Sequence, residues 1–503
     1  MQISEHTRIA VIGSGTMGAG IAQLAASAGH PVQLYDISPA ATARGLESIA
    51  RSLQGRVDKG RLTPEAYQAT LGRLHAADQL TDLADADIVI EAAAEKLEVK
   101  QQLFRALAEI CAPQTLLTTN TSSISVTAIA SGIAHPGRIA GLHFFNPAPV
   151  MKLVEVVKGL DSDSQTIESL CQLAGRWGKT AVRCQSTPGF IVNRVARPYY
   201  AEAWRALEEQ VAPAAVIDAA LRDGARFPMG PLELTDLIGQ DVNFAVTCSV
   251  FNAFWQERRF LPSLVQQELV LAGKWGRKSQ QGVYRWPRQH DELPVVRALP
   301  QEAAASLQRQ GGPGMWLNGM ARLTAHLSQS DLVADVPFLE LDEVLVMATN
   351  GESAQQLARR YNRPVVVLDL ADDYVNTPLV VMAAAATNRP DQTAKAIHFF
   401  QQQDKQVLLV ADYPGLLAWR TVAMLVNEAL DAVQKGVASA DDIDVAMRLG
   451  VNYPHGPLAW GESLGWQRVL TVLENLQKHY GEERYRPSSL LRERALMEKH
   501  YEQ

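Results

Sequence analysis

Few folds can accommodate the stretch RIAVIGSGTMGAGIAQLAASAGHPVQLYD, residues 8–36. Arg8–Ile12 has the apolar character of a parallel strand buried on both faces. Gly13, Gly15 and Gly18 follow as G-x-G-x-x-G, and a helical pattern begins within the motif. Gly13 permits a tight turn, Gly15 lets a pyrophosphate approach the backbone, and Gly18 allows close packing of helix on strand. Thr16 and Met17 fill the rest of the loop, whose helix start turns its positive end toward phosphate. The second strand ends in Asp36, 23 residues after Gly13. A carboxylate there accepts hydrogen bonds from ribose hydroxyls and repels a 2′-phosphate, so NAD is expected over NADP.

Further strand patterns appear at 86–93, 115–120, 138–145 and 151–157, with helical stretches between the earlier ones. This is a doubly wound α/β sheet, whose ligands lie beyond the carboxyl ends of its strands. Asn120–Ser122 and His143–Asn146 stand at such ends. In GLHFFNPAPVMKLVEVV, residues 141–157, a proline-containing turn joins two strand-like runs, so Glu155 can fold back beside His143. A neutral imidazole suits proton removal from an alcohol, and a neighbouring carboxylate orients it and stabilises the imidazolium that forms. Residues 39–72 add a charged helical excursion that a minimal unit does not need, either a solvated helix pair or an arm reaching over a long substrate with Ser52, Arg56 and Lys59 as polar or cationic contacts.

From Thr187 the pattern becomes helical, and it recurs without a gap at an offset of 226. Pro188/Pro414, Gly189/Gly415, Arg194/Arg420, Glu202/Glu428, Asp218/Asp444, Gly230/Gly456 and Gly239/Gly465 all match, which means one backbone used twice. Between the copies, strands are expected at 342–349, 364–369, 378–388, 395–400 and 405–412, a shortened second sheet. There Asp369 imitates Asp36, and His398-Phe-Phe imitates His143-Phe-Phe. Aligned on the Asp-terminated strand, Val346, Ala348 and Gly351 fall at the positions of Gly13, Gly15 and Gly18, and Trp419 replaces Asn193. The domains are then 1–186 (Rossmann-type sheet with helical arm), 187–286 (all-α), 287–330 (linker), 331–412 (degenerate α/β) and 413–503 (second all-α). The two helical modules are expected to dock on each other as an intrachain pseudo-dimer; a homo-oligomer is the other arrangement.

At 503 residues and net charge −7, the chain argues against general affinity for nucleic acid or an acidic membrane. No apolar run suits a membrane span, and the N-terminus lacks a targeting pattern. Four cysteines without paired spacing fit a reduced, cytoplasmic protein, and no metal site is expected.

IGSGTMGAGIAQ, NTSSIS, GLHFFNPAPVMKLVEVV, TPGFIVNR and FPMGPLELTDLIGQD resemble the (S)-3-hydroxyacyl-CoA dehydrogenases of fatty-acid oxidation over residues 8–286. The whole arrangement is similar to the longer 3-hydroxyadipyl-CoA dehydrogenases of bacterial phenylacetate degradation. The resemblance implies NAD as cofactor, a 3-hydroxyacyl-CoA as substrate and a helical domain that dimerises. It implies His143 and Glu155 as the catalytic pair, with Ser122 and Asn193 touching substrate. It places Gly13, Gly15, Thr16, Met17, Gly18, Asp36, Glu95, Lys100, Asn120, Ser122, Asn146 and Lys278 around NAD, and Ser52 and Lys59 on CoA. A carboxylate at the far end of an adipyl chain would want a cation, with Arg194, Arg197, Arg222 and Arg226 as candidates. Competing readings are a hydroxybutyryl or general fatty substrate, a free β-hydroxyacid, or a non-enzymatic dinucleotide-binding protein.

Overall fold

The computed structural model describes residues 3–288, 293–297, 303–311, 318–332, 334 and 336–498. Two compact units emerge: residues 1–194 with 435–451, and residues 195–434 with 452–503.

The first unit is built on an eight-stranded sheet of β1 (Ile9–Ile12), β2 (Val32–Tyr35), β3 (Leu74–Ala76), β4 (Ile88–Glu91), β5 (Leu116–Thr119), β6 (Ile139–Phe144), β7 (Leu153–Lys158) and β8 (Thr180–Gln185), ordered β3-β2-β1-β4-β5-β6-β7-β8. All neighbours are parallel except β6 and β7, which the turn at 145–152 makes antiparallel. The three-residue β3 and the six-residue β8 are additions to the expected strands. The helix Thr16–Ser27 packs its alanine-rich face on the sheet. The charged arm is two helices, Pro39–Asp58 and Pro64–Leu71. Each starts at proline behind a capping hydroxyl: Ser38 accepts from Ala41 N (3.3 Å) and Thr63 from Ala66 N (3.2 Å).

The second unit holds a mixed seven-stranded sheet of β9 (Leu307–Gln310), β10 (Ser328–Gln329), β11 (Phe338–Leu341), β12 (Val344–Ala348), β13 (Val365–Leu368), β14 (Leu379–Ala384) and β15 (Gln406–Leu409), ordered β10-β9-β11-β12-β13-β14-β15. Two expectations are corrected here. Residues 287–330 are not only a linker, because β9 pairs antiparallel with β11 and extends the sheet. Residues 395–400 are not a strand: they lie in the helix Pro390–Gln401, so His398 is no counterpart of His143. Pro390 at the helix start and the buried positions Ala394, Ala396, Ile397, Phe399 and Phe400 give a helical period, which the His-Phe-Phe likeness obscured.

Within this unit the helices Arg197–Glu208 and Ala418–Gln434 of the two modules pack on each other. Arg259 reaches Glu428 at 2.8 Å, and Arg484 reaches Glu202 at 3.0 Å. Glu202 and Glu428 are repeat-mates, and at the same offset Arg259 corresponds to Tyr485, whose hydroxyl donates to Glu202 at 3.1 Å next to Arg484 in the turn Glu483–Tyr485. Residue i meeting j while the mate of j meets the mate of i is the mark of an isologous interface. It is realised here inside one chain.

The modules also exchange sheets. The helix Ala440–Gly450, expected with the rest of 413–503, belongs to the first unit and packs on β7 and β8. Gln185 N donates to Val437 O at 2.8 Å beside it. Its repeat-mate segment serves the second sheet, where Asp372 N donates to Gly224 O at 3.0 Å. Among the described residues no helix is long and apolar enough to cross a membrane.

Candidate active site

The antiparallel register of β6 and β7 sets His143 directly opposite Glu155. Their side chains meet at 2.7 Å, Nδ1 to Oε2, with His143 6% and Glu155 1% exposed. A carboxylate acceptor fixes the proton on Nδ1 and leaves Nε2 as the basic nitrogen. Phe145 and Phe190 flank the ring at centroid distances of 4.6 and 5.9 Å. The other Glu155 oxygen accepts from Ile191 N (3.1 Å) and Val192 N (2.9 Å), at the start of the short helix Val192–Val195 that carries Asn193. Lys179, which sequence reasoning missed, donates to Ala148 O (2.7 Å) and Met151 O (2.6 Å) and pins the turn joining the pair.

Asn120 accepts from Phe144 N at 2.8 Å and ties the end of β5 to the strand bearing His143. Ser122 follows in a loop whose N–H groups point at Glu95: Ser122 N at 3.2 Å, Ser123 N at 3.3 Å. Burial alone would raise the Glu95 carboxyl; hydrogen bonds from Thr121, Ser123 and Ser122 and the Lys100 charge outweigh it and hold the group below its ordinary range. Asn146 is exposed on the turn after β6. Lys278 lies in the second unit beside Asp241 at 2.6 Å.

The glycine loop fits a dinucleotide. Gly13 has φ +95°, and a Cβ there would stand 2.4 Å from Ala92 O. A Cβ on Gly18 would collide with Gly13 O at 1.7 Å, so this glycine lets the loop fold against the helix start. Over Gly15, by contrast, no described atom lies within 4 Å, the open approach that a pyrophosphate needs. Thr16 is exposed beside it and Met17 half-buried. Asp36 accepts from Ser14 N (2.8 Å) and Ser38 N (3.1 Å), which aims its carboxylate at the loop. Ile37, 91% exposed, offers an apolar surface next to it. Gly15→Ala is expected to raise the Kd for NAD about tenfold or more while leaving Tm nearly unchanged. Gly13→Ala should instead lower Tm by several degrees. Calorimetric titration and thermal melts on both variants separate the two roles.

A groove of about 530 Å³ runs from Gly15 and Asp36 along the arm helix, lined by Arg44, Ser48 and Ser52. Ser52 is therefore beside the loop, whereas Lys59 sits at the exposed far end of that helix and does not line the groove. Arg44 and Ser48 were missed, although their spacing of four residues places them on the Ser52 face. The arginines proposed for a distal carboxylate are engaged elsewhere. Arg197 packs over Tyr200 and donates to Thr247, Arg222 makes two bonds to Asp223, and Arg226 lies 3.6 Å from Asp372. Arg194 is buried.

The second sheet shows which features are architecture. Asp369 accepts from Leu417 N (2.9 Å) and Ala418 N (2.8 Å), the repeat-mates of Ile191 and Val192. It thus does what one Glu155 oxygen does, from a different strand and without a histidine. Its likeness to Asp36 is one of strand position: Asp36 accepts from Ser14 N and Ser38 N, whereas Asp369 accepts from the start of the helical module. The loop alignment also shifts by three residues. Gly13 N donates to Tyr35 O, and the matching bond in the second sheet is from Thr349 N to Leu368 O. Thr349, Gly351 and Ala354 therefore stand for Gly13, Gly15 and Gly18, because the helix Ala354–Tyr361 is shorter than Thr16–Ser27. A glycine survives at the phosphate position, but protein fills the space: a Cβ on Gly351 would lie 2.5 Å from Val472 O. The Asp412 carboxylate takes Ala354 N (2.7 Å) and Gln355 N (2.9 Å) at the helix start. Calorimetry is expected to give one NAD per chain; a second stoichiometric site would contradict the filled loop.

Comparison with known proteins gives three family-model matches. Residues 8–187 match the 3-hydroxyacyl-CoA dehydrogenase NAD binding domain, and 189–286 and 415–502 match the C-terminal domain of the same family. Residues 346–414 match the 3-hydroxybutyryl-CoA dehydrogenase reduced Rossmann-fold domain. The chain is 61% identical over 502 residues to 3-hydroxyadipyl-CoA dehydrogenase of Escherichia coli, covering 100% of both. It is 40% identical to a probable 3-hydroxybutyryl-CoA dehydrogenase of Bacillus subtilis, over 56% of this chain and 97% of that one. A crystal structure described as 3-hydroxybutyryl-CoA dehydrogenase from Escherichia coli K12 superposes with a TM-score of 0.92 at 61% identity, covering 99% of this chain and 100% of that one.

Proposed function

The chain belongs to the 3-hydroxyacyl-CoA dehydrogenase family, and on that premise we propose that it oxidises 3-hydroxyadipyl-CoA to 3-oxoadipyl-CoA, with His143 as general base and Glu155 as its orienting acid. The class is that of an NAD-dependent oxidoreductase. NAD, when bound, supplies the hydride acceptor; Gly13–Gly18 would hold its phosphates and Asp36 its ribose.

The chain's own part is the proton. As hydride leaves C3 of the substrate, the hydroxyl proton passes to His143 Nε2 and the C3–O bond becomes a carbonyl. The ring gains a positive charge, which Glu155 faces at 2.7 Å from inside the sheet. Burial of both groups strengthens that attraction relative to water. Ser122 and Asn193 would hold the reacting oxygen, and the arm groove with Ser52 would take part of the CoA moiety.

The adipyl reading is carried by the 61% identity to a protein named for that substrate, which extends through the second half of the chain. A second reading, 3-hydroxybutyryl-CoA, is favoured by the equally similar crystal structure that bears that name. Comparing kcat/KM for hydroxybutyryl, hydroxyhexanoyl and hydroxyadipyl thioesters decides between them. The adipyl thioester is expected to exceed the hexanoyl by about tenfold or more, the scale on which one engaged polar group discriminates. Equal values would favour the shorter or general substrate. Activity with the free acid instead of the thioester would remove CoA from the reading altogether.

A further inference from the structure

The turn between β6 and β7 is short of hydrogen-bond donors. In NPAPVM, residues 146–151, Pro147 and Pro149 carry no N–H. The N–H groups of Val150 and Met151 both go to Pro147 O, each at 3.0 Å. The carbonyls of Ala148 and Met151 are met by a side chain from farther along the chain. Lys179 follows the helix Ser164–Arg176 and precedes β8, whose first residue, Thr180, donates its N–H to Lys152 O at 2.8 Å. From that fixed place the ammonium donates to Ala148 O at 2.7 Å and to Met151 O at 2.6 Å. Lys179 is 8% exposed; burial holds its ammonium below the ordinary lysine range, and among the described residues no carboxylate offsets that.

A buried ammonium without a counter-charge is a poor choice for stability alone. What it supplies here is placement. On the other side of the turn stands Gly20, in the helix Thr16–Ser27. A Cβ on Gly20 would lie 3.2 Å from Pro149 Cδ and 3.3 Å from Ala148 Cβ, so the bare glycine lets the turn settle on the helix. Pro147 and Pro149 line the same groove as Ser48 and Ser52 of the arm. We propose that Lys179 is a positioning residue for the CoA moiety. Its ammonium draws the Ala148 and Met151 carbonyls inward and holds Pro147 and Pro149 against Gly20, so the groove has its shape before the thioester arrives. This rests on the reading of the groove as the place of CoA. Lys179 touches neither substrate nor cofactor in this role. The proton step stays with His143 and Glu155, which the β6–β7 ladder sets opposite each other.

The test uses the full-length chain, Lys179→Met, Gly20→Ala and the double variant. Each is assayed with the 3-hydroxyacyl group that the wild type oxidises best, carried once on CoA and once on N-acetylcysteamine. The second carrier lacks the nucleotide and most of the pantetheine arm. Lys179→Met and Gly20→Ala are expected to raise KM for the CoA thioester about tenfold, with kcat and the calorimetric Kd of NAD within about threefold of wild type. On the N-acetylcysteamine thioester both variants should match the wild-type kcat/KM, a result that general loss of packing would not give. The double variant should cost little beyond either single one, since both displace one turn. Should Lys179→Met fail to fold, Gly20→Ala carries the test, because it removes no hydrogen bond and alanine suits a helix. Equal losses on both carriers, a fall in kcat at unchanged KM, or fully multiplicative effects in the double variant would each overturn the proposal. A wild-type enzyme with equal kcat/KM on the two carriers would reject the groove as the place of CoA. A wild-type preference for CoA that Lys179→Met and Gly20→Ala both retain would reject only the positioning role.

Discussion

Replacing His143 by alanine is expected to lower kcat by roughly 10²–10⁴-fold, the contribution of a positioned general base. The Kd for NAD should stay near wild type, because His143 stands on β6 opposite Glu155 of β7 and not on the glycine loop. Glu155→Gln should cost less than His143→Ala in kcat but should damage more than the tautomer. A glutamine can present its oxygen either to the imidazole or to Ile191 N and Val192 N, while the carboxylate serves both sides at once. If its amide NH₂ faces Nδ1, the imidazole must accept there, and Nε2 carries the proton when it should be taking one. Pre-steady-state hydride transfer, followed as NADH absorbance, reads the effect without interference from product release. A His143→Ala enzyme with near wild-type kcat would exclude the histidine as base.

Asp369 explains why the glutamate should be hard to replace. The second half has no histidine in this place, yet it supplies a buried carboxylate to the matching N–H groups. The clamp on the start of the helical module is therefore a requirement of the backbone. In the first half one glutamate meets that requirement with one oxygen and orients the imidazole with the other.

How legible this was depended on whether a signal was local. The glycine loop, Asp36 and the His143–Glu155 pairing are each written within one strand–turn–strand or strand–turn–helix segment, where residue spacing and geometry correspond. The degenerate sheet offered no such anchor. An alignment without gaps from Asp369 back to the loop went wrong by three residues, because a shortened helix leaves no mark in composition. His398-Phe-Phe looked like a strand because three residues carry no period; only the proline and alanines upstream identify the helix. Glu91, the last residue of β4, meets Lys100 of the helix Leu97–Ile110 at 2.6 Å, a side-chain contact that spacing alone does not announce. The exchange of the helix Ala440–Gly450 to the first sheet is a long-range event, invisible in any window. The repeat itself was visible because glycines and prolines resist substitution where the backbone needs them.

The largest effect on stability is expected from Glu202→Ala. Glu202 accepts from Arg484 Nε at 3.0 Å and from the Tyr485 hydroxyl at 3.1 Å, and lies 3.9 Å from Arg420 Nε. Arg420 and Arg484 are both buried, so removing the carboxylate leaves two guanidinium groups without their counter-charge inside the helix–helix contact. Removing one partner of a buried ion pair costs about 3–5 kcal/mol, far more than a surface pair is worth. The pseudo-twofold arrangement gives a second, independent version of the same experiment. Glu428→Ala strips Arg259 of its 2.8 Å partner and should destabilise comparably, although Asp431, 3.3 Å from Arg259, softens the loss. Arg183 and Glu168, an exposed pair on the other unit, supply the control, for which a change below about 1 kcal/mol is expected. Urea unfolding read by tryptophan fluorescence should show the Glu202→Ala transition shifted to clearly lower denaturant. A fragment ending near residue 300 makes the same interface visible in another way. It keeps Glu202 and the helix Arg197–Glu208 but loses the helix Ala418–Gln434 that covers them. The bared face is self-complementary by its descent from a repeat, so light scattering should find the fragment dimeric or aggregated. A monomeric, fully active fragment, or a Glu202→Ala chain as stable as wild type, would mean that the two helical modules do not depend on each other.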